Sequence, residues 1–331
     1  MANGMNDKRF LGIPQPPKEK TGCPWIGFTE PSEVSMNDGS EWPKISIVTP
    51  SFNQAKYIET AIRSVLDQGY PNLEYLVIDG GSTDGSVEII KKYASRLTYW
   101  VSEPDRGQSY AINKGFQRTT GEIMAWLNSD DYYNSRTLWT VAEKLKNQRM
   151  TLLIGSSTQI NEEKSEQIDD HRKPTWEEMV YDTRTIPQPS VFWTRDLWDE
   201  AGTLDETLYF AMDYDLWLRM RYKAEQEINT DDILSYIQLH SEQKWRRAER
   251  DKTLTKYTQE RASVSIQAAI TRGENPMVWL MRLWRYRFRQ AVNSRNYHRL
   301  KGSQYHREAT RQVVNLLFNK KQKPVEIKWH A

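Results

Sequence analysis

Residues 122–131 read Glu122, Ile123, Met124, Ala125, Trp126, Leu127, Asn128, Ser129, Asp130, Asp131: five apolar side chains, then four that carry oxygen, with nothing between. An apolar run of this length suits a strand covered on both faces, as in parallel sheets. Its abrupt end gathers amide, hydroxyl and carboxylate oxygens at that strand's carboxyl end. Open α/β sheets bind ligands outside those ends, and hard cations such as Mg²⁺ or Mn²⁺ take carboxylate, carbonyl and water oxygens. The stretch therefore fits a metal that grips a diphosphate. It fits equally well the start of a helix near Ser135 capped by Asp130 and Asp131, so the neighbouring segments decide.

Upstream, apolar strands and helical spacing alternate. Ile45–Thr49 is a strand ended by Pro50, Ser51, Phe52 and Asn53, and Ile58, Ala61, Ile62, Val65 and Leu66 follow at helical spacing. Leu73–Ile78 is a second strand running into Asp79, Gly80, Gly81, Ser82, Thr83, Asp84 and Gly85, with a helix through Val87, Ile89, Ile90 and Tyr93. Leu97–Val101 is a third strand, Ser109–Arg118 a helix, and Ile123–Leu127 the fourth strand. This order predicts an α/β fold with a mostly parallel Rossmann-like sheet and helices on both faces. Three polar strand ends then share one edge: Thr49 to Asn53, Asp79 to Asp84, and Asn128 to Asp131. Glycines at 80 and 81 let backbone approach a ligand, or simply turn the chain. Neither a Gly-x-Gly-x-x-Gly nor a Walker A pattern is present.

The chain has length for one sizeable domain with extensions. Cys23 is the single cysteine, which excludes an intrachain disulfide. The amino-terminal stretch shows no apolar h-region, and no apolar run approaches the roughly 18–20 residues of a membrane span, so a soluble or peripheral protein is expected. Residues 1–43, rich in proline, read as an extended arm pinned by Trp25, Ile26 and Phe28. The net charge of +2 hides an asymmetry: from Lys244 onward there are 21 Lys+Arg against 6 Asp+Glu, and the rest of the chain is acidic.

The ordered set Ile47-Val48-Thr49-Pro50-Ser51-Phe52-Asn53, Val77-Ile78-Asp79-Gly80-Gly81-Ser82-Thr83-Asp84-Gly85-Ser86 and Asn128-Ser129-Asp130-Asp131 resembles the family 2 glycosyltransferases of the GT-A fold, over about Lys44 to His240. The resemblance implies a nucleotide-sugar half at 44–131 and an acceptor half at 132–243; the charge asymmetry marks 244–331 as a basic helical extension. It implies that Thr49, Pro50 and Asn53 line the base and ribose pocket and that Asp79 reads a pyrimidine edge, a carboxylate being an acceptor for the N3–H of uracil or thymine. The family often has a second Asp where this chain has Gly80. Arg106, beside Asp105 and Gly107, corresponds to a loop that touches base or phosphate, though a loop Arg is as often a solvated charge. The family's Asp-x-Asp metal motif falls on Asn128-x-Asp130, with Ser129 between, which leaves Asp130 as principal ligand for Mg²⁺ or Mn²⁺ bridging the diphosphate.

Beyond residue 151 the pattern loosens, with a strand at Leu152–Gly155 and an extended hairpin at Thr158–Ile168. Gln188 and Ser190, between two prolines, either face the cleft or lead into a strand. In Met212-Asp213 the resemblance retains the family's base, Asp213, but not its acidic neighbour. His240 stands where members place a His near metal and phosphates, and Lys244 is a weaker phosphate candidate. Pro276–Ala291 interleaves Trp, Leu, Phe and Arg, which suits either a helix packed on the catalytic domain or one lying on an anionic membrane. No nucleic-acid module is present. The expectation is a cytoplasmic, inverting transferase, peripheral on the inner face of the membrane if the tail docks there, moving a sugar from a UDP- or dTDP-linked donor to a glycan or lipid-linked acceptor. The rivals are a sugar nucleotidyltransferase and a non-catalytic sugar-nucleotide binding protein.

Overall fold

The computed structural model describes residues 24–25, 35–36, 39–161, 166–182, 184–244, 246–247, 254–293 and 309–313. The first seven elements alternate: β1 (Ile45–Ser51), α1 (Ile58–Leu66), β2 (Leu73–Asp79), α2 (Ser86–Tyr93), β3 (Tyr99–Ser102), α3 (Gln108–Phe116) and β4 (Ile123–Trp126). There follow β5 (Asp131–Tyr133), α4 (Thr137–Leu145), β6 (Thr151–Asn161), β7 (Glu166–Asp170), α5 (Trp176–Asp182), a 3₁₀ turn at Gln188–Ser190, β8 (Val191–Thr194), α6 (Arg195–Ala201), α7 (Met212–Lys223), β9 (Gln226–Leu239), α8 (Leu254–Thr271) and α9 (Pro276–Asn293).

All nine strands form one sheet in the order β3-β2-β1-β4-β8-β6-β9-β5, with β7 on β6. β3, β2, β1 and β4 run parallel, as the alternating strand–helix order predicts. β8 enters antiparallel between β4 and β6, β6 and β9 are parallel, and β5 is antiparallel to β9. The fold is α/β of GT-A type.

Several boundaries differ from the sequence expectation. Residues 94–96 form a 3₁₀ turn, so β3 starts at Tyr99 rather than Leu97, and α3 stops at Phe116, two residues before Arg118. The helix-cap reading of Asp130 and Asp131 fails: α4 starts at Thr137 behind Arg136, whose φ is 64°, and Asp131 opens β5. The hairpin is present as β6 and β7, paired from Ser157↔Asp170 to Asn161↔Glu166. Of the arm's anchors, Trp25 is buried with the Arg63 guanidinium over its ring; Ile26 and Phe28 lie outside the described residues.

The chain divides into two compact units, one of residues 1–171, 187–200 and 223–239, the other of 172–186, 201–222 and 240–331. The first holds the sheet. Its core runs along the strands: Ile45, Ile47 and Val48 of β1 are wholly buried, and Trp126 of β4 meets Trp193 of β8 at 5.6 Å between ring centres. In the second unit, Leu216, Trp217, Leu218 and Met220 of α7 are wholly buried. Its one buried ion pair, among those described there, is Arg219–Asp215 at 2.8 Å. The remaining Arg219 donors reach the carbonyls of Ala201, Gly202 and Thr203, which supplies the extra hydrogen bonds that a buried pair needs.

α3 lies so close to β1 that a methyl at Gly115 would overlap the Val48 side chain. Gly115→Ala is therefore expected to lower stability by about 1–3 kcal/mol through overpacking. The test is a denaturant melt, with Val48→Ala in the same chain restoring part of the loss.

Candidate active site

In the first unit, parallel pairing sets the ends of three strands side by side, with Ser51↔Asp79 and Asp79↔Ser102 in register. Asp79 is wholly buried. Its Oδ2 accepts from Gly81 N (3.1 Å), Ser82 N (2.9 Å) and the Ser102 hydroxyl (2.7 Å), and its Oδ1 from the Ser82 hydroxyl (2.6 Å). A buried carboxylate requires such donors.

The loops are then stitched together. Asn53 N donates to Ser82 Oγ at 2.7 Å, Thr83 N to Asn53 Oδ1 at 2.9 Å, and Ala55 N to Asp84 Oδ2 at 2.8 Å. Asp84 also accepts from Ser86 N and Oγ at the start of α2. Burial works to raise the Asp84 carboxyl, but these hydrogen bonds hold it below its ordinary value. Thr49 and Pro50 are buried within β1, Thr49 Oγ1 lying 3.0 Å from the Tyr75 hydroxyl. Asn53 takes the left-handed φ of 53° and is exposed.

The structure gives a physical reason for Gly80. A Cβ there would lie 2.9 Å from Asp105 Oδ2, so the acidic group stands on the next loop rather than on residue 80. Asp105 is raised by burial first and by the charge of Asp79, against a hydrogen bond from Gly107 and the charge of Lys114. Arg106 is exposed, its guanidinium 4.3 Å above the Tyr110 ring.

Asn128 is a hub. Its Oδ1 accepts from Gln108 Nε2 (2.8 Å), and its Nδ2 donates to Gln188 Oε1 (2.9 Å) and Asp131 Oδ2 (3.3 Å). Gln188 Nε2 returns to the Trp126 carbonyl at 2.9 Å. An amide here donates toward oxygen acceptors, which a carboxylate could not do. Gln188 thus joins this network, whereas Ser190 is buried in a hydroxyl cluster with Ser157 and Ser235. Ser129 is buried and Asp130 half-buried, the carbonyl of Asp130 accepting from Gln238 Nε2 at 2.9 Å.

Asp131 is buried, and its Oδ1 meets no donor. Burial, then the charge of Asp130, pushes its carboxyl well above the ordinary range. Among the described residues no three His, Cys, Asp or Glu side chains form a group that could hold a metal by themselves. Mg²⁺, however, is commonly held by one or two carboxylates with substrate phosphates and water completing its shell. The half-buried Asp130 and the unsatisfied Oδ1 of Asp131 fit that demand.

The second unit holds Asp213 and His240. Asp213 lies in the first turn of α7, Tyr214 N donating to its Oδ1 at 2.7 Å. Burial raises its carboxyl, opposed by the charges of Arg261 and Lys244 and by that amide. Lys244 is pushed down to about 8, chiefly by burial, with Asp213 and Glu260 pulling the other way. Its Nζ sits 3.9 Å above the Tyr209 ring, and the Arg261 guanidinium 3.9 Å above Tyr214. His240 is buried, its carbonyl accepting from Gln243 N at 3.3 Å.

Sequence reasoning missed Glu260 of α8. Its carboxylate takes the amides of three consecutive residues that lead into α7: Tyr209 N (3.1 Å), Phe210 N (2.6 Å) and Ala211 N (3.0 Å). Nothing in the local sequence links it to a loop some 50 positions earlier. Asp131 was visible in the quoted stretch, where a metal-binding turn and a helix cap fit it equally.

Comparisons with known proteins bear on the family and the fold. Residues 46–194 match the glycosyl transferase family 2 profile, a shorter span than the motif resemblance suggests. A Rickettsia typhi protein described as an uncharacterised glycosyltransferase is 28% identical over 201 residues, 56% of this chain and 60% of its own length. A Bacillus subtilis glycosyltransferase named for teichuronic acid biosynthesis is 37% identical over 99 residues, 29% of this chain and 39% of its own. The chain thus spans less than two thirds of these relatives. The crystal structure of S. aureus TarS 1-349 in complex with UDP-GlcNAc superposes with a TM-score of 0.59 at 19% identity, covering 82% of this chain and 81% of that one, a likeness of fold.

The charge of Lys244 draws the Asp213 carboxyl down against burial, so its removal should leave that carboxyl higher. In Lys244→Met, Asp213 is expected to take up its proton at a higher pH than in the parent. ¹³C NMR titration of the aspartate carboxyls measures this, and the parent should also show an inflection near 8 that the variant lacks.

Proposed function

Residues 46–194 belong to glycosyl transferase family 2, and from that premise we propose an inverting transfer of a sugar from a UDP- or dTDP-linked donor to a hydroxyl of a glycan or lipid-linked acceptor. The observation that carries it is the Asn128–Asp131 turn, where a buried carboxylate oxygen of Asp131 lacks a donor beside a second acid. That is a demand for a cation at the strand edge where an α/β sheet receives a ligand. The UDP-GlcNAc held by TarS supports the donor class, and the teichuronic acid designation of the B. subtilis relative supports a role in surface polysaccharide assembly.

Asp130 and Asp131 would hold Mg²⁺ or Mn²⁺, and the sequence resemblance assigns His240 to metal. When bound, the cation neutralises charge that grows on the departing nucleoside diphosphate. Asn128, tied to Gln108 and Gln188, keeps the turn in place. Thr49, Pro50 and Asn53 are assigned to the nucleoside, with Arg106 to base or phosphate and Ser129 to the turn's ligand side. The pyrimidine N3–H is assigned to Asp79 on the family resemblance.

Asp213 is the general base. It takes the proton of the acceptor hydroxyl as that oxygen bonds to the anomeric carbon and the bond to the diphosphate breaks. A carboxyl raised by burial accepts a proton near neutral pH more readily than an ordinary aspartate. Acidic conditions that protonate it should therefore stop the reaction. A single displacement needs one base, unlike the carboxylate pair of glycosidases.

Two substitutions separate these roles. Asp213→Asn is expected to lose at least about 100-fold in kcat, the lower range for a positioned base, while donor binding measured by calorimetry stays. Asp131→Asn should instead weaken Mn²⁺-dependent donor binding. Turnover that survives Asp213→Asn would reassign the base, and an intact chain that binds donor without any turnover would mark a sugar-nucleotide binding protein.

A further inference from the structure

A group that reads a nucleobase has to touch its edge. The resemblance puts that task on Asp79, but no part of Asp79 reaches the surface. Its Oδ2 is occupied by Gly81 N, Ser82 N and the Ser102 hydroxyl, and its Oδ1 by the Ser82 hydroxyl. This carboxylate ties its own loop to β3, and a ligand could reach it only if that loop opened.

A second carboxylate stands over the same strand end. Asp105 is half-buried, and its Oδ2, Cγ and Oδ1 would lie 2.9, 3.1 and 3.3 Å from a Cβ on Gly80. Backbone bonds fix the two loops one over the other: Gly80 N donates to the Ser51 carbonyl at 2.8 Å, and Glu103 N to the Asp79 carbonyl at 3.0 Å. Asp105 Oδ1 accepts from Gly107 N at 2.8 Å, whereas among the described residues Oδ2 meets no donor. Lys114 lowers the Asp105 carboxyl through its charge but gives its hydrogen bond to Glu103. Helix capping does not account for the residue either, since α3 has no side-chain cap. A partly desolvated carboxylate oxygen without a donor favours a ligand that brings an N–H or O–H.

The sheet order says which part of the donor that is. The Asn128–Asp131 turn follows β4, β1 lies beside β4, and β2 beside β1. At about 4.8 Å per strand, the end of β2 is about 10 Å along the row from the turn assigned to the diphosphate. The base is the part of a nucleoside most remote from its phosphates.

We propose that Asp105, rather than Asp79, reads the nucleobase of the donor, its Oδ2 accepting the N3–H of uracil or thymine from the volume that Gly80 leaves open. Cytosine carries an acceptor at N3 and would set it against the carboxylate, so cytidine nucleotides are selected against. Asp79 is a positioning residue that acts through the Gly81–Ser82 backbone. The assignment rests on the reading of the donor as a UDP- or dTDP-sugar.

The test is calorimetric titration of the full chain with UDP and with CDP, each with Mn²⁺. The parent should bind UDP on the order of tenfold or more tighter than CDP, the scale of one hydrogen bond to a charged group. Asp105→Asn keeps an acceptor for Gly107 N and puts an N–H donor in place of Oδ2, so the preference should vanish or turn toward CDP. Asp105→Ser serves if the amide disturbs folding, with loss of the preference. Gly80→Asp combined with Asp105→Gly returns a carboxylate to that volume from the other loop and should restore part of the preference. Asp79→Asn should change both affinities by the same factor. The proposal is overturned if the Asp105 variants keep the parent's ratio, including the case in which both affinities fall together, as a contact to ribose would make them. It is overturned as well if Asp79→Asn alone removes the preference, or if the parent binds UDP and CDP equally. A parent that binds neither nucleotide overturns the pyrimidine-donor reading itself, and this assignment with it.

Discussion

A charge sealed from water must be paired or hydrogen-bonded, and the first unit is arranged around one such charge. Asp79 ends β2, is closed to solvent, and is satisfied by donors from its own loop and from β3. Meeting that need fixes the Gly81–Ser82 backbone, which presents Ser82 Oγ to Asn53 and so orders the loop after β1. The sheet supplies the rest: parallel register brings the ends of β1, β2 and β3 into one row without any long-range recognition beyond apolar packing. The candidate nucleotide edge is thus a result of strand direction plus one buried acid.

How legible this was in the sequence depends on distance along the chain. β1, β2 and β4, with α1 and α2, are written in local period: apolar runs for strands covered on both sides, helical spacing for the crossovers. β8 and β9 are not. β8 is four residues long and slots antiparallel between β4 and β6, a placement decided by partners far away in the chain. β9 spans fourteen residues whose first half is largely exposed, so only its second half, residues 233–239, shows an apolar pattern. β5 is three residues paired to β9, and in the sequence its Asp131 fits a metal-binding turn and a helix cap equally. The motif residues of the first unit could be named from sequence, but the bonds that give Asn128, Gln188 and Gln238 their places could not.

The second unit shows the same limit from the other side. Asp213 can be picked out at a helix start, yet its surroundings come from far downstream: Lys244, then Glu260 and Arg261 on α8. Glu260 gathers three successive amides, which otherwise would need water or a ligand at a helix approach. Met212, next to Asp213, is buried, and an acid at that spot would add a second desolvated charge. The basic segment after residue 243 is therefore part of how this acid is held, and lies beyond the stretch matched by the family profile.

Gly80 and Asp105 compete for one small volume, since a side chain on the first would land on the carboxylate of the second. A negative group can reach that spot from either loop, and here it comes from Asp105. Two chains could then present the same electrostatic surface to a nucleoside while disagreeing in the motif itself. Residue-by-residue comparison would score them as different where an approaching ligand would find them alike.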